Sequence, residues 1–113
     1  MSIMEQIKEF ISQISLNKYY DKRNNHKINK KVYIGYINGE LYTGYERKKT
    51  YTKKGALENS MISWLAHRFC MEKINGRVDY NMQRKIMGSI REMLPQLIEE
   101  GIIEIKEVEL IAE

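Results

Sequence analysis

The feature that most constrains the fold is the pair Asn38-Gly39, which lies between two alternating runs of β-branched and aromatic residues, VYIGYI and ELYTGY. Asn-Gly is the preferred pair for a two-residue type I′ turn, because both central positions of that turn need a positive φ. The pattern predicts a β-hairpin over residues 32–45. The turn also predicts the register of the two strands, with Ile37 opposite Glu40.

This register assigns the side chains of the hairpin to two faces. On the second face each tyrosine lies opposite a glycine, so that its ring can cover the bare backbone. We expect the first face to pack on a helix and the second to stay accessible. The first face carries Val32, Ile34, Tyr36, Leu41, Thr43 and Tyr45, and the second carries Tyr33, Gly35, Ile37, Glu40, Tyr42 and Gly44.

Apolar residues recur at helical spacing on both sides of the hairpin and predict three helices. Ser2 and Glu5 fit a capping box at the start of the first. The second begins near Gly55, interpreted as its N-cap, and the third begins after Asp79 and is expected to kink or restart at Pro95. The three apolar stripes are Ile3, Ile7, Phe10, Ile11 and Ile14; Leu57, Met61, Trp64, Leu65 and Phe69; and Met82, Ile86, Ile90, Met93 and Leu97.

The remaining segments complete a single α+β domain of 113 residues. Gly101 is a natural C-cap for the helical part at residues 55–100, and the run IIEIKEVEL predicts a C-terminal strand over residues 102–111. Residues 16–31 are basic and without periodicity, so we expect a long loop there that can be mobile. The predicted order is α-β-β-α-α-β, with a short extra strand at Lys49–Thr52 as an option and the helices on one face of a small antiparallel sheet.

Charge is distributed unevenly along the chain, which has a net charge of +4. Residues 21–54 carry ten Lys/Arg against three acids, a net +7, whereas residues 98–113 carry six Glu against one Lys, a net −5. Such asymmetry indicates an anionic partner. If the last strand pairs with the hairpin, opposite charges meet across the sheet; the alternative is an acidic patch that faces a partner.

Two basic clusters flank the hairpin, and a hairpin brings its two ends together. Surfaces that bind nucleic acid combine Lys/Arg for phosphates with aromatic rings for base stacking. The alternative is that the lysines protect sheet edges and the tyrosines are strand formers. The candidate binding residues are Lys22, Arg23, Lys27, Lys30 and Lys31 before the hairpin, Arg47, Lys48, Lys49, Lys53 and Lys54 after it, and Tyr33, Tyr42 and Tyr51.

A narrower hypothesis places a phosphate at the turn before Gly55, where the N–H groups of a helix N-terminus lie beside Lys53 and Lys54. The phosphate-loop pattern G-x-x-x-x-G-K-[ST] is absent there. Glu58, in the predicted first turn, would also repel an anion. A solvated basic loop is the alternative.

The sequence offers little for catalysis, and we expect a non-catalytic protein without a cofactor or metal. His67 and Cys70 are three residues apart, but a zinc site needs four ligands and only His26 is left to add another His or Cys. A single cysteine is typical of a reducing, cytoplasmic environment. No apolar run approaches the roughly 18 residues of a membrane span, so no membrane partner is expected.

Two segments resemble known families. LPQLIEEGIIEI (Leu94–Ile105) resembles the end of winged-helix DNA-binding domains, where a helix closes on Glu-Glu-Gly and enters the wing. TYTKKGALENSM (Thr50–Met61) looks like the strand-to-helix segment of small uncharacterised phage and prophage proteins of Gram-positive bacteria. The second resemblance implies a mobile-element origin, and small phage proteins often bind host machinery.

These features together predict a phage-type binding protein in the cytoplasm of a bacterial host. We expect it to engage nucleic acid or a host nucleoprotein complex through the basic, tyrosine-rich hairpin surface. One alternative is a stoichiometric inhibitor of a host defence or regulatory complex, as anti-CRISPR proteins are. Another is a binder of a small anionic nucleotide, which requires the face of Tyr33 and Tyr42, or the turn at Gly55, to be concave.

Overall fold

The computed structural model describes residues 2–18, 30–44, 48–73 and 79–110. The described chain forms the predicted α+β domain, and its helices and strands follow the predicted order. The elements are α1 (Ile3–Gln13), a 3-10 turn (Leu16–Lys18), β1 (Lys30–Ile37), β2 (Glu40–Leu41), α2 (Lys54–Lys73), α3 (Tyr80–Glu99) and β3 (Ile103–Leu110).

The sheet has three antiparallel strands in the order β2-β1-β3. β3 pairs with β1 along its whole length, from Lys30 opposite Leu110 to Ile37 opposite Ile103. The C-terminal strand therefore pairs with the hairpin, which the sequence had left open, with β1 in the centre and β3 at one edge.

Asn38-Gly39 forms the predicted turn, with φ angles of 52° and 79°. The side-chain amide of Asn38 donates to the carbonyl oxygens of Ile11 at 2.7 Å and Ile14 at 3.0 Å. Its main-chain N–H donates to the carbonyl oxygen of Ile102 at 2.8 Å. The turn therefore satisfies carbonyl groups at the end of α1, which have no partner inside the helix, and also anchors the start of β3.

The second strand is shorter than predicted. Tyr36 lies opposite Leu41, as the turn requires, but Gly44, with a φ of 64°, belongs to a turn instead of the strand. Tyr51 occupies the place predicted for Gly44: it exchanges two main-chain hydrogen bonds with Tyr33, of 2.7 and 3.0 Å. The predicted pairing of Tyr33 with Gly44 is wrong, and the optional extra strand is reduced to this one bridge.

Helix α2 packs on the face of the hairpin opposite to the predicted one. A Cβ added to Gly35 would lie 2.9 Å from Met61 Sδ and 3.2 Å from Leu57 Cδ1. The helix approaches this closely because Gly35 has no side chain. The face of β1 that packs on α2 is therefore the one that carries Gly35 and Ile37 and not the predicted one, although Val32 on the other face is also fully buried.

The core lies between this inner face of the sheet and the three helices. The apolar stripes predicted from the sequence are buried, with two exceptions: Ile3 is 45% exposed and Met82 is half-buried. The buried residues of the helices and the sheet include Ile7, Phe10, Ile11, Ile37, Leu57, Met61, Trp64, Leu65, Phe69, Ile86, Ile90, Leu97 and Ile103.

The ends of α1 and α3 follow the predicted caps. Ser2 Oγ accepts a hydrogen bond from the N–H of Glu5 at 3.2 Å, and Asp79 caps α3. Gly101, with a φ of 76°, ends α3 in the left-handed conformation typical of a C-cap. α3 continues through Pro95 as one helix from Tyr80 to Glu99, so it does not restart there.

We expect Gly39→Val to destabilise the protein. Open space surrounds the position, since no atom lies within 4 Å of an added Cβ, but a left-handed backbone costs a residue with a Cβ about 1–2 kcal/mol. The melting temperature should fall by about 4–8 °C per kcal/mol. Gly55→Val is the matched control, because Gly55 also has open space and lies in a helix. Equal melting temperatures for Gly39→Val and Gly55→Val would contradict the left-handed turn at Gly39.

Candidate functional site

Two basic segments meet at one end of the sheet, which we call the basic end. The bridge between Tyr33 and Tyr51 places the start of β1 beside the segment that leads into α2. The described lysines at this end are Lys30, Lys31, Lys48, Lys49, Lys53 and Lys54. The convergence predicted from the hairpin is thus confirmed for them. Four further candidates, Lys22, Arg23, Lys27 and Arg47, lie outside the described residues.

The lysines after the hairpin differ in their exposure. Lys48, Lys53 and Lys54 are exposed, whereas Lys49 is half-buried. The ammonium group of Lys48 lies 4.8 Å from the centroid of the Tyr51 ring, a cation–π contact that positions the charge. Three exposed cations are therefore available to an anionic partner.

Helix α2 begins with two of these lysines. The carbonyl oxygen of Lys53 accepts the N–H of Leu57 at 3.2 Å, and the helix starts at Lys54. Gly55 therefore lies inside the first turn, and its interpretation as the N-cap is wrong. The first turn contains no acid, since Glu58 lies beyond it. Cations at a helix N-terminus oppose its dipole at a cost of about 0.3–1 kcal/mol each, which a bound anion would offset.

The prediction that Tyr42 stacks on a ligand is wrong, because its side chain is 0% exposed. Its ring packs edge-to-face on Trp64, with the centroids 6.0 Å apart. Its hydroxyl lies 2.7 Å from Ser60 Oγ, and the hydroxyl of Tyr51 lies 3.0 Å from the same atom. Tyr51 is only 7% exposed. These two rings belong to the core, beneath the lysines of the basic end.

The described residues show no concave wall at the two places where the sequence allowed a nucleotide site. Tyr33 is half-buried against the core, and its predicted companion Tyr42 is fully buried. At the turn into α2, no atom lies within 4 Å of a Cβ added to Gly55, so the turn has no wall there.

Acidic residues lie along one flank of the basic end. Glu107 of β3 is opposite Tyr33, and Glu109 is opposite Lys31. The register therefore brings one pair of oppositely charged residues, Lys31 and Glu109, to facing positions. The flank with Lys48, Lys53 and Lys54 is on the other side of β1, because β1 separates Tyr51 from β3. These exposed lysines are therefore on the flank away from the acidic strand.

The structure supplies no reactive centre at His67 and Cys70. Cys70 is 1% exposed, and burial, with a smaller contribution from the charge of Asp79, raises the pKa of its thiol above its usual value. A protonated, buried thiol is a poor nucleophile and a poor metal ligand. Among the described residues, no cluster of three or more His, Cys, Asp or Glu side chains is placed to hold a metal ion.

Sequence reasoning missed the outer face of the sheet, because it expected a helix there. The residues of this face do not belong to the core cluster, although one of them, Val32, is fully buried. Lys106 Nζ lies 5.3 Å from the centroid of the Tyr36 ring and 3.2 Å from Glu104 Oε1. The glycine at position 35 was the available signal, since it marks the face on which a helix can approach. The half-buried apolar residues of the outer face are Ile34, Tyr36, Leu41 and Val108.

A separate cleft of about 430 Å³ lies between α1 and the end of α2. Phe10 and Ile14 form its apolar part. The charged side chains that line it are of both signs: Glu9, Lys18, Glu72 and Lys73. Because the two glutamates and two lysines offset each other, the cleft has no net charge that would attract an anion. None of its lining residues belongs to the basic end.

Comparison with protein-family models, curated proteins and solved structures finds no match to this chain. The resemblances to winged-helix domains and to phage proteins stay hypotheses. Within the described ranges, no helix combines the length and the apolar character needed to cross a bilayer. The function is therefore argued from the geometry of the chain itself.

We expect Tyr42→Ala to act on stability. Removing a fully buried ring should cost about 3–5 kcal/mol, as for other large-to-small core changes. Tyr42→Phe keeps the ring and removes only the hydroxyl beside Ser60, so its cost should be about 0.5–1.5 kcal/mol. Urea denaturation measures both. If Tyr42→Ala proved as stable as the wild type, the ring would have to lie outside the core.

Proposed function

We propose that this protein is a non-catalytic binding protein that contacts the phosphate backbone of nucleic acid through its basic end. The observation that supports this most is the bridge between Tyr33 and Tyr51, which joins two separate lysine segments. Phosphate contacts from Lys and Arg supply most of the affinity in non-specific nucleic-acid binding.

The details of the basic end favour phosphates over bases. Three lysines are exposed, whereas the rings of Tyr42 and Tyr51 are buried and hold the scaffold. The start of α2 adds backbone N–H groups that have no partner inside the helix, and such groups prefer an anion. Binding should therefore depend on charge and salt much more than on base sequence.

The test is a fluorescence-anisotropy titration with labelled duplex and single-stranded oligonucleotides. The triple variant Lys48→Gln, Lys53→Gln and Lys54→Gln should keep its fold, because all three side chains are exposed. Its affinity should fall, because fewer phosphates are neutralised. The slope of log affinity against log salt should shrink by about 0.9 for each phosphate of a duplex that the variant leaves unneutralised, or about 0.7 for a single strand.

The matched control removes the same charge elsewhere. Arg84, Lys85 and Arg91 are exposed on α3, and their replacement by Gln should leave the affinity and the salt slope much closer to the wild type. Equal losses of affinity in both triple variants would mean that net charge acts without a site. No affinity of the wild type at physiological salt would refute the proposal.

A second candidate is a protein-binding inhibitor of a host defence or regulatory complex. The outer face of the sheet favours it, since Ile34, Tyr36, Leu41 and Val108 are only half-buried there, although Val32 on the same face is fully buried. This candidate and a phage origin predict a stable complex with a host protein after nuclease treatment. Ile34→Glu should abolish that complex and leave oligonucleotide binding intact.

A further inference from the structure

The outer edge of β3 is open among the described residues, since β3 pairs with β1 alone. Tyr33 exchanges both of its main-chain hydrogen bonds with Tyr51, so its neighbours in β1 turn their N–H and C=O groups to β3. One of these neighbours, Ile34, lies opposite Lys106. By alternation, Ile105 and Glu107 turn their main-chain groups away from β1 and towards the open edge.

We propose that two copies of this chain pair through their β3 edges, antiparallel and centred on Ile105. A symmetric antiparallel pair needs a two-fold axis perpendicular to the sheet. Residues of equal distance from the axis then lie opposite each other with their side chains on one face. The result is a continuous six-stranded sheet. This inference does not depend on the proposed function.

Charge selects the register. An axis through Glu104, Lys106, Glu107 or Glu109 places that charged residue opposite its own copy, and an axis through Val108 places Glu107 opposite Glu109. Like charges directly opposite destabilise a strand pair. Among the interior positions of β3, only the axis through Ile105 avoids this, and it places Glu104 of each copy opposite Lys106 of the other.

The same axis uses the main-chain groups that face the edge. Ile105 exchanges hydrogen bonds with Ile105 of the second copy, and Ile103 does so with Glu107 of the second copy. The side chains of Glu104 and Lys106 are both exposed, so they can reach across the new pair. Edge strands can also carry charges that prevent pairing, and that alternative predicts a monomer at every concentration.

Sedimentation velocity of the full chain without nucleic acid tests the proposal. As concentration rises, the wild type should shift from 13.5 kDa towards twice that mass. Glu104→Lys and Lys106→Glu should each stay monomeric. In each variant, position 104 of one copy and position 106 of the other carry like charges, in both symmetry-related pairs. An equimolar mixture of these two variants should recover the dimer, because every facing pair then has opposite charges.

Glu107→Pro tests the main-chain contact without changing the Glu104–Lys106 pair. Its N–H faces the open edge, so proline should be tolerated there and leave the melting temperature near that of the wild type. It should abolish the dimer, and it keeps the proposal testable if a charge variant fails to fold. A monomeric wild type, a mixture that stays monomeric, or a dimer that survives Glu107→Pro would overturn the proposal.

Discussion

The fold depends on the hydrogen bonds of Asn38. Its side chain holds the last carbonyl groups of α1, and its main-chain N–H holds the residue before β3. Asparagine suits this position because it tolerates the left-handed conformation and carries an amide donor. One turn residue thus joins the first helix, the hairpin and the final strand. The turn also sets the register between β1 and β2.

The register also decides where the basic end forms. It places Gly35 where α2 approaches, and the helix then buries Tyr42 against Trp64. Tyr51 shares Ser60 with Tyr42 and completes β1 at Tyr33. Tyr42 and Tyr51 therefore pack in the core beneath the exposed lysines of the basic end. The acidic strand closes the other flank, so charge is segregated across β1.

Local signals in the sequence predicted the elements, and long-range contacts decided what the sequence left open. The turn, the helical stripes and the cap at Gly101 each depend on residues a few positions apart. The hairpin was enough to predict that the lysine segments meet, although the bridge between Tyr33 and Tyr51 joins them and not the predicted pair of Tyr33 and Gly44. The hairpin was not enough to predict the buried face, because both of its faces carry apolar residues and only packing on α2 distinguishes them. The burial of Tyr42 depends on Ser60, 18 residues away.

The central claim is that the bridge between Tyr33 and Tyr51 creates one anion-binding end. An amide NMR titration with an unlabelled oligonucleotide tests it most directly, because it reports position instead of affinity. The account predicts that the largest shift changes fall at residues 30–33, 48–49 and 53–55, while the amides of α1 stay unchanged. Changes that centre on the outer face of the sheet or on the cleft beside α1, or no changes at all, would contradict it.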